Sequence, residues 1–195
     1  MTKQGRGRPH DPEIAGKLRE AAEQIMLTEG FSGLSVDRLA KEVGTTRPTF
    51  YRRYPTMGYL ALDVLQHRFG PGEEVDTGSL KQDLLVLQEH EVAMFSDPLI
   101  QKNLAALLEL SRTEPDIAAL TKKSFVEMRR QTVHRVIDRA VERGEIKTPH
   151  VAFDFLCDLL LGPVVVRTLL PVPGQLDEEL ARSTALTVLA LLTND

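Results

Sequence analysis

Residues 39–54 read LAKEVGTTRPTFYRRY, and they place Arg47, Arg52 and Arg53 on one short segment of a chain whose net charge is −4. Ser35 is a good N-cap for a short helix carrying Val36, Leu39, Ala40 and Val43, which Gly44 closes. Thr46 can cap a second short helix beginning at Arg47-Pro48, because first-turn N–H groups have no acceptor within the helix. At 3.6 residues per turn Phe50 and Tyr54 share one face, Pro48, Thr49, Tyr51 and Arg52 share the other, and Arg47 lies at the flank. Two short helices joined by a glycine turn form the helix-turn-helix pattern. Such a unit lays the start of its second helix in the major groove of a duplex. There arginine can donate to guanine O6 and N7, Thr49 can reach a base, and Tyr51 can reach a phosphate oxygen. The plainer alternative is a solvated basic face on a packed helix.

Charge is unevenly shared along the chain. Residues 1–53 hold 10 basic and 7 acidic groups, whereas the remainder holds 14 and 21. A basic front and an acidic body suggest modules with different partners. The single cysteine, Cys157, excludes an intrachain disulfide and fits a reducing cytoplasm. No apolar run follows the opening charges, so no secretory signal is expected. In the most apolar stretch the longest uncharged run is Leu159 to Val166, far below the roughly 20 residues of a membrane helix.

Helical periodicity dominates. Ile14, Leu18, Ala22 and Ile25 mark a first helix ended by Gly30, and Pro55 opens a fourth carrying Leu60, Leu62, Val64, Leu65 and Phe69. Gly70-Pro71-Gly72 is the strongest breaker and sets a domain boundary. Beyond it, a Ser79–Gln82 capping box, Asp97-Pro98, Thr113 with Asp116 across Pro115, and Thr148-Pro149 predict helices near 80–95, 98–111, 115–143, 149–170 and 177–192. The expected fold is all-α with about nine helices. A basic arm spans 1–11, a helix-turn-helix DNA-binding domain with a connecting helix spans 12–69, and a ligand-binding and dimerisation domain spans 79–195.

The stretch FSGLSVDRLAKEVGTTRPTFYRRYPTMGYL, residues 31–60, resembles the DNA-binding domain of TetR family bacterial transcriptional regulators. It keeps the Phe-x-x-x-Ser entry, the Val-x-x-Leu-Ala second helix, Gly-Thr-Thr, the Thr-x-Tyr core and the aromatic-Pro exit. The resemblance implies a homodimeric regulator, usually a repressor, that binds double-stranded DNA at a pseudo-palindromic operator and answers to a small-molecule effector. Activation, a ligand-independent regulator and an all-α protein-interaction module remain as alternatives. It puts Thr46, Arg47, Pro48, Thr49, Tyr51, Arg52 and Arg53 at DNA-facing positions, with Ser35 and Thr45 beside them. One departure is Met57-Gly58, where members of the family often carry a phosphate-touching lysine. Leu160, Leu161, Gly162, Pro163 and Arg167 resemble the penultimate helix of one subgroup.

Arg6-Gly7-Arg8-Pro9 resembles an AT-hook core, so Arg6 and Arg8 are candidates for a minor groove, against the reading of an incidental charged tail. The last two predicted helices are apolar on more than one face. That implies either a central core or burial against a twin, and the resemblance favours the twin through Phe155, Leu159, Val165, Leu186 and Leu189. Helices within 80–143 would enclose the effector, with His90, Met94, Leu107, Glu109, Arg112, Phe125 and Met128 as candidate contacts. No enzyme signature is present. The five histidines lack metal-ligand spacing, and there is no CxxC, P-loop, GxSxG or GxGxxG. Neither a metal nor a cofactor is expected.

Overall fold

A computed structural model describes residues 12–70, 72, 74–170 and 172–193. Arg6 and Arg8 of the basic arm, and Pro71 of the predicted breaker, lie outside that set. Every regular element among the described residues is helical: α1 (Pro12–Thr28), α2 (Val36–Glu42), α3 (Arg47–Arg53), α4 (Met57–Phe69), α5 (Leu80–Ser96), α6 (Pro98–Thr113), α7 (Pro115–Thr121), α8 (Met128–Glu142), α9 (Phe153–Leu169) and α10 (Glu178–Thr193). A π-helical turn, Lys122–Glu127, joins α7 to α8. Counting that continuous rod once gives nine helices, which agrees with the all-α expectation.

Local chemistry explains several ends. Asp97 caps α6 by accepting from Leu99 N at 2.8 Å, ahead of Pro98. Thr46 caps α3 by accepting from Thr49 N at 3.4 Å. Other predicted caps are corrected. Ser35 and Ser79 occupy N-cap positions but make no side-chain cap bond. The N–H of Leu80 instead donates to Glu145 Oε2 at 2.8 Å, so a residue from the turn after α8 serves the start of α5. Thr113 ends α6 and donates back to the Glu109 carbonyl at 2.9 Å, leaving Glu114 as the N-cap of α7. The helix predicted from Pro149 begins at Phe153, and the one predicted from Pro55 begins at Met57.

Two apolar cores result. The first joins α1–α4 to α5, α6 and α7 through Leu18, Ile25, Phe50, Leu60, Phe95, Leu99 and Ile117. The second binds α5, α8, α9 and α10 through Leu84, Val136, Leu156, Leu160 and Val188. Between them a buried Thr184 hydroxyl donates to Gln88 Oε1 at 2.7 Å, tying α10 to α5. The segment leading into α5 is held rather than loose. Arg139 pairs with Glu74 at 2.8 Å, and the fully buried Asp83 accepts from Thr77 N at 2.6 Å and from its hydroxyl at 2.7 Å.

The last carbonyls of a helix have no acceptor role within it, and α6 supplies partners for those of α1. Asn103 Nδ2, fully buried, donates to Met26 O at 3.0 Å. Lys102 Nζ donates to Leu27 O and, at 3.3 Å, to Thr28 O. Nearby, Arg68 of α4 bridges Glu23 of α1 and Asp97 at the head of α6, each at 2.9 Å. Asp97 therefore both caps α6 and receives α4. Asp97→Ala is expected to lower stability by about 1–2 kcal/mol, the usual cost of a lost cap. Asp97→Asn, which can still cap, should lose less. Urea unfolding of the three proteins measures the difference.

Candidate nucleic-acid interface

The turn between α2 and α3 is set by one backbone conformation. Gly44 has φ 70°, a left-handed value that other residues adopt only at a cost. Thr45 N then donates to Ala40 O at 2.8 Å, which closes α2 and redirects the chain. Beneath α3, Phe50 is fully buried and Tyr54 nearly so, both in the core that includes Leu39 and α1. Burying a phenylalanine contributes about 1.5–3 kcal/mol, so this face fixes the roll of the helix. The opposite face is thereby turned to water. Arg47, Pro48, Arg52 and Arg53 are exposed, and Tyr51 is 47% exposed. Thr49 and Thr45 are half-buried, while Thr46 and Ser35 are exposed.

Electrostatics at this face are lightly compensated. Arg47 lies 3.3 Å from Asp37 of α2, with both side chains exposed, an arrangement that water and salt weaken. Tyr54 donates its hydroxyl to Asp63 of α4 at 2.6 Å, and Arg19 of α1 stands 3.5 Å from the same carboxylate. Burial, reinforced by Asp63, raises the Tyr54 pKa above its ordinary 10.0. The Met57-Gly58 departure also has a physical reason. A Cβ on Gly58 would stand 2.9 Å from Ile117 Cδ1 of α7, so the start of α4 is given over to contact with the C-terminal helices.

Those C-terminal helices bring some expected residues together and separate others. Met94 and Phe125 converge on Arg129. Leu107 is buried in the first core, Met128 is half-buried, and His90, Glu109 and Arg112 are exposed. Sequence reading missed the pair at the centre: Arg129 Nε donates to Glu91 Oε1 at 2.9 Å. On α9, Phe155 (51% exposed) and Val166 (43%) bracket the half-buried Leu159 and Gly162 at helical spacing, and Leu191 of α10 is 38% exposed. Leu186 and Leu189 are half-buried. Val165 packs on the first core, and Leu159 and Leu189 pack on the second. Cys157 is buried, and that burial raises its pKa, which suppresses the thiolate.

Residues 18–64 match the family described as bacterial regulatory proteins, tetR family, and residues 74–188 match the tetracyclin repressor-like C-terminal domain. The chain belongs to the tetR family. A relative from Mycobacterium tuberculosis, the uncharacterized HTH-type transcriptional regulator Rv1556, is 30% identical over 176 residues, which cover 84% of this chain and 82% of that protein. The crystal structure of the TetR family transcription regulator SCO0332 superposes with a TM-score of 0.69 at 26% identity, covering 91% of this chain and 97% of that one. FadR from Bacillus subtilis, solved in complex with stearoyl-CoA, shares the fold at a TM-score of 0.65 and 14% identity, over 92% and 98% of the two chains. This tetR family member is a transcription regulator of a non-enzymatic class. Among its described residues no helix is long and apolar enough to cross a membrane.

Because folding raises the Tyr54 pKa, the fold favours the neutral phenol. The stability this adds is present below the ordinary tyrosine range and is lost as pH rises through the folded-state value. Tyr54→Phe is therefore expected to flatten the fall in Tm above about pH 10. Parallel falls in both proteins would separate Tyr54 from the alkaline transition.

Proposed function

We propose that the chain represses transcription as a homodimer, each subunit presenting α3 to one half of a pseudo-palindromic operator. The observation that carries this reading is the water-facing arginine and tyrosine face of α3, held in place by the buried Phe50 and Tyr54. Residues 12–69 form the reading head and 79–195 the regulatory and dimerising body. Arg47 and Arg52 donate to base edges or phosphates, Thr49 contacts a base, and Tyr51, Arg53, Thr46, Thr45 and Ser35 contact the backbone. Arg6 and Arg8 precede this head in the chain and enter the adjacent minor groove.

Twofold pairing through α9 and α10 supplies the spacing. Phe155, Leu159, Val166 and Leu191 form an apolar surface whose burial in a twin removes it from water, with Val165, Leu186 and Leu189 behind it. Two heads held about 34–36 Å apart meet successive major-groove faces of one duplex. An effector bound among α5–α8 releases the operator by favouring a different spacing, with a coupling of about 1–3 kcal/mol. The head is joined to the body for that purpose by the bonds of α6 to α1 and by Ile117 against Gly58.

Selection of bound sequences from random duplexes, followed by titration against salt, tests the DNA reading. One preferred palindrome is expected, and uniform weak binding would favour an interaction module. Arg47→Ala and Tyr51→Phe should fold and pair as the parent does. Arg47→Ala should lose about 1–3 kcal/mol of operator binding, the worth of a good bidentate contact, and Tyr51→Phe should lose binding through its phosphate contact. Phe155→Glu is expected to give a folded monomer by sedimentation, with operator affinity lost alongside. A dimer that survives this change would place the pairing face elsewhere.

A further inference from the structure

The Glu91–Arg129 pair joins α5 to the start of α8, directly after the π-helical turn, and neither partner is fully satisfied. Arg129 Nε serves Glu91 Oε1 at 2.9 Å, and Nη1 serves the Phe125 carbonyl at 3.1 Å. Nη2 faces only the thioether sulfur of Met94, a weak acceptor for a guanidinium. Glu91 Oε2 is buried and has no hydrogen-bond partner among the described residues, a condition that costs free energy wherever it persists. The Phe125 ring lies 5.5 Å from the guanidinium carbon. One acceptor, Glu91 Oε2, is thus left without a partner, and on the same ion pair one guanidinium nitrogen has a sulfur where an oxygen would serve it better.

We propose that this pair is the polar end of the effector site and takes the carboxylic acid head of an apolar molecule. One ligand oxygen replaces Met94 sulfur at Arg129 Nη2, and the other shares a proton with Glu91 Oε2. The inference rests on the regulator reading and deepens it. A planar carboxyl gives Glu91 Oε2 the partner it lacks, offers Arg129 Nη2 a stronger acceptor than the thioether, and matches the guanidinium fork. An amine serves Glu91 only and brings a second cation to Arg129. Burial raises the Glu91 pKa, against the lowering effects of Arg129 across the helix pair and His90 on its own helix. With Glu91 protonated, Arg129 lacks a counter-ion and an arriving carboxylate supplies one.

Access and output follow from the turn itself. None of residues 122–127 is fully buried, and Phe125, half-buried at the edge of the first core, is the side chain that must turn aside to admit a ligand. A π-helical turn differs from α by one hydrogen-bond step, and such turns recur at functional sites. Resetting it moves α7, where Ile117 lies about two helical turns away and abuts Gly58 of the reading head. Glu114, at the far end of α7, accepts from the Thr56 hydroxyl at the start of α4 at 3.4 Å. A ligand at Arg129 therefore acts on the helix that touches the head.

The test titrates the full-length dimer calorimetrically with short, medium and long straight-chain carboxylates and with the matching primary amines, at about pH 6 and about pH 8.5. A carboxylate is expected to bind, more weakly at the higher pH, and to weaken operator binding, while the amines do not bind. Arg129→Met should bind it at least about tenfold more weakly while retaining the parent's operator affinity. Glu91→Gln should retain binding and lose its pH dependence. Amines that bind as well as carboxylates, unchanged binding in Arg129→Met, or unchanged pH dependence in Glu91→Gln would overturn the head-group assignment. Failure of every carboxylate beside intact operator binding would overturn it too and leave the regulator reading standing. Loss of sequence-specific DNA binding by the parent protein would instead remove that reading.

Discussion

The carbonyls that end α1 cannot be satisfied inside their own helix, and the partners they find come from α6. Asn103 and Lys102 reach across from another part of the chain to Met26, Leu27 and Thr28. The rest of the architecture depends on this junction, because α1 is the surface on which α2, α3 and α4 are assembled. A three-helix head of this size has little core of its own, and here its main helix is finished by the body. Arg68 adds a second tie by gripping α1 and the head of α6 together. The orientation of α3 is consequently a property of the whole chain.

The roll of α3 is fixed from below. Phe50 and Tyr54 are held by apolar contact, so the arginines need no internal partners to be presented outward. The Arg47–Asp37 pair is exposed enough to exchange for another anion at small cost. Polar groups deeper in the molecule behave differently. Glu91 Oε2 and Asn103 Oδ1 are buried with no hydrogen-bond partner among the described residues, and there a single unfilled valency carries information about what the protein meets.

Much of this was legible in the sequence wherever the signal is local. Thr46 and Asp97 each cap the helix that follows directly, and the apolar face of Phe50 and Tyr54 follows from period alone. The sequence pattern failed where a distant residue takes over a local task. Ser79 and Gln82 look like a capping box, but Glu145 delivers the bond. Thr113 turns back to its own helix, and the start implied by Thr148-Pro149 lies ahead of Phe153. The Glu91–Arg129 pair joins positions with no shared motif, and the π-helical turn between α7 and α8 has no local signature in KKSFVE. Gly58, which looks like a mere helix defect beside an absent lysine, is the hollow that receives Ile117.

The Thr184–Gln88 bond has a mechanical meaning. It lies buried between α10 and α5, and sliding either helix along the other by one turn would strand the Gln88 side chain in an apolar setting, while Thr184 would keep the Leu180 and Ala181 carbonyls of its own helix. The two are therefore pinned in step like meshed gears. A displacement along α5 is thereby passed to α10 rather than absorbed between them.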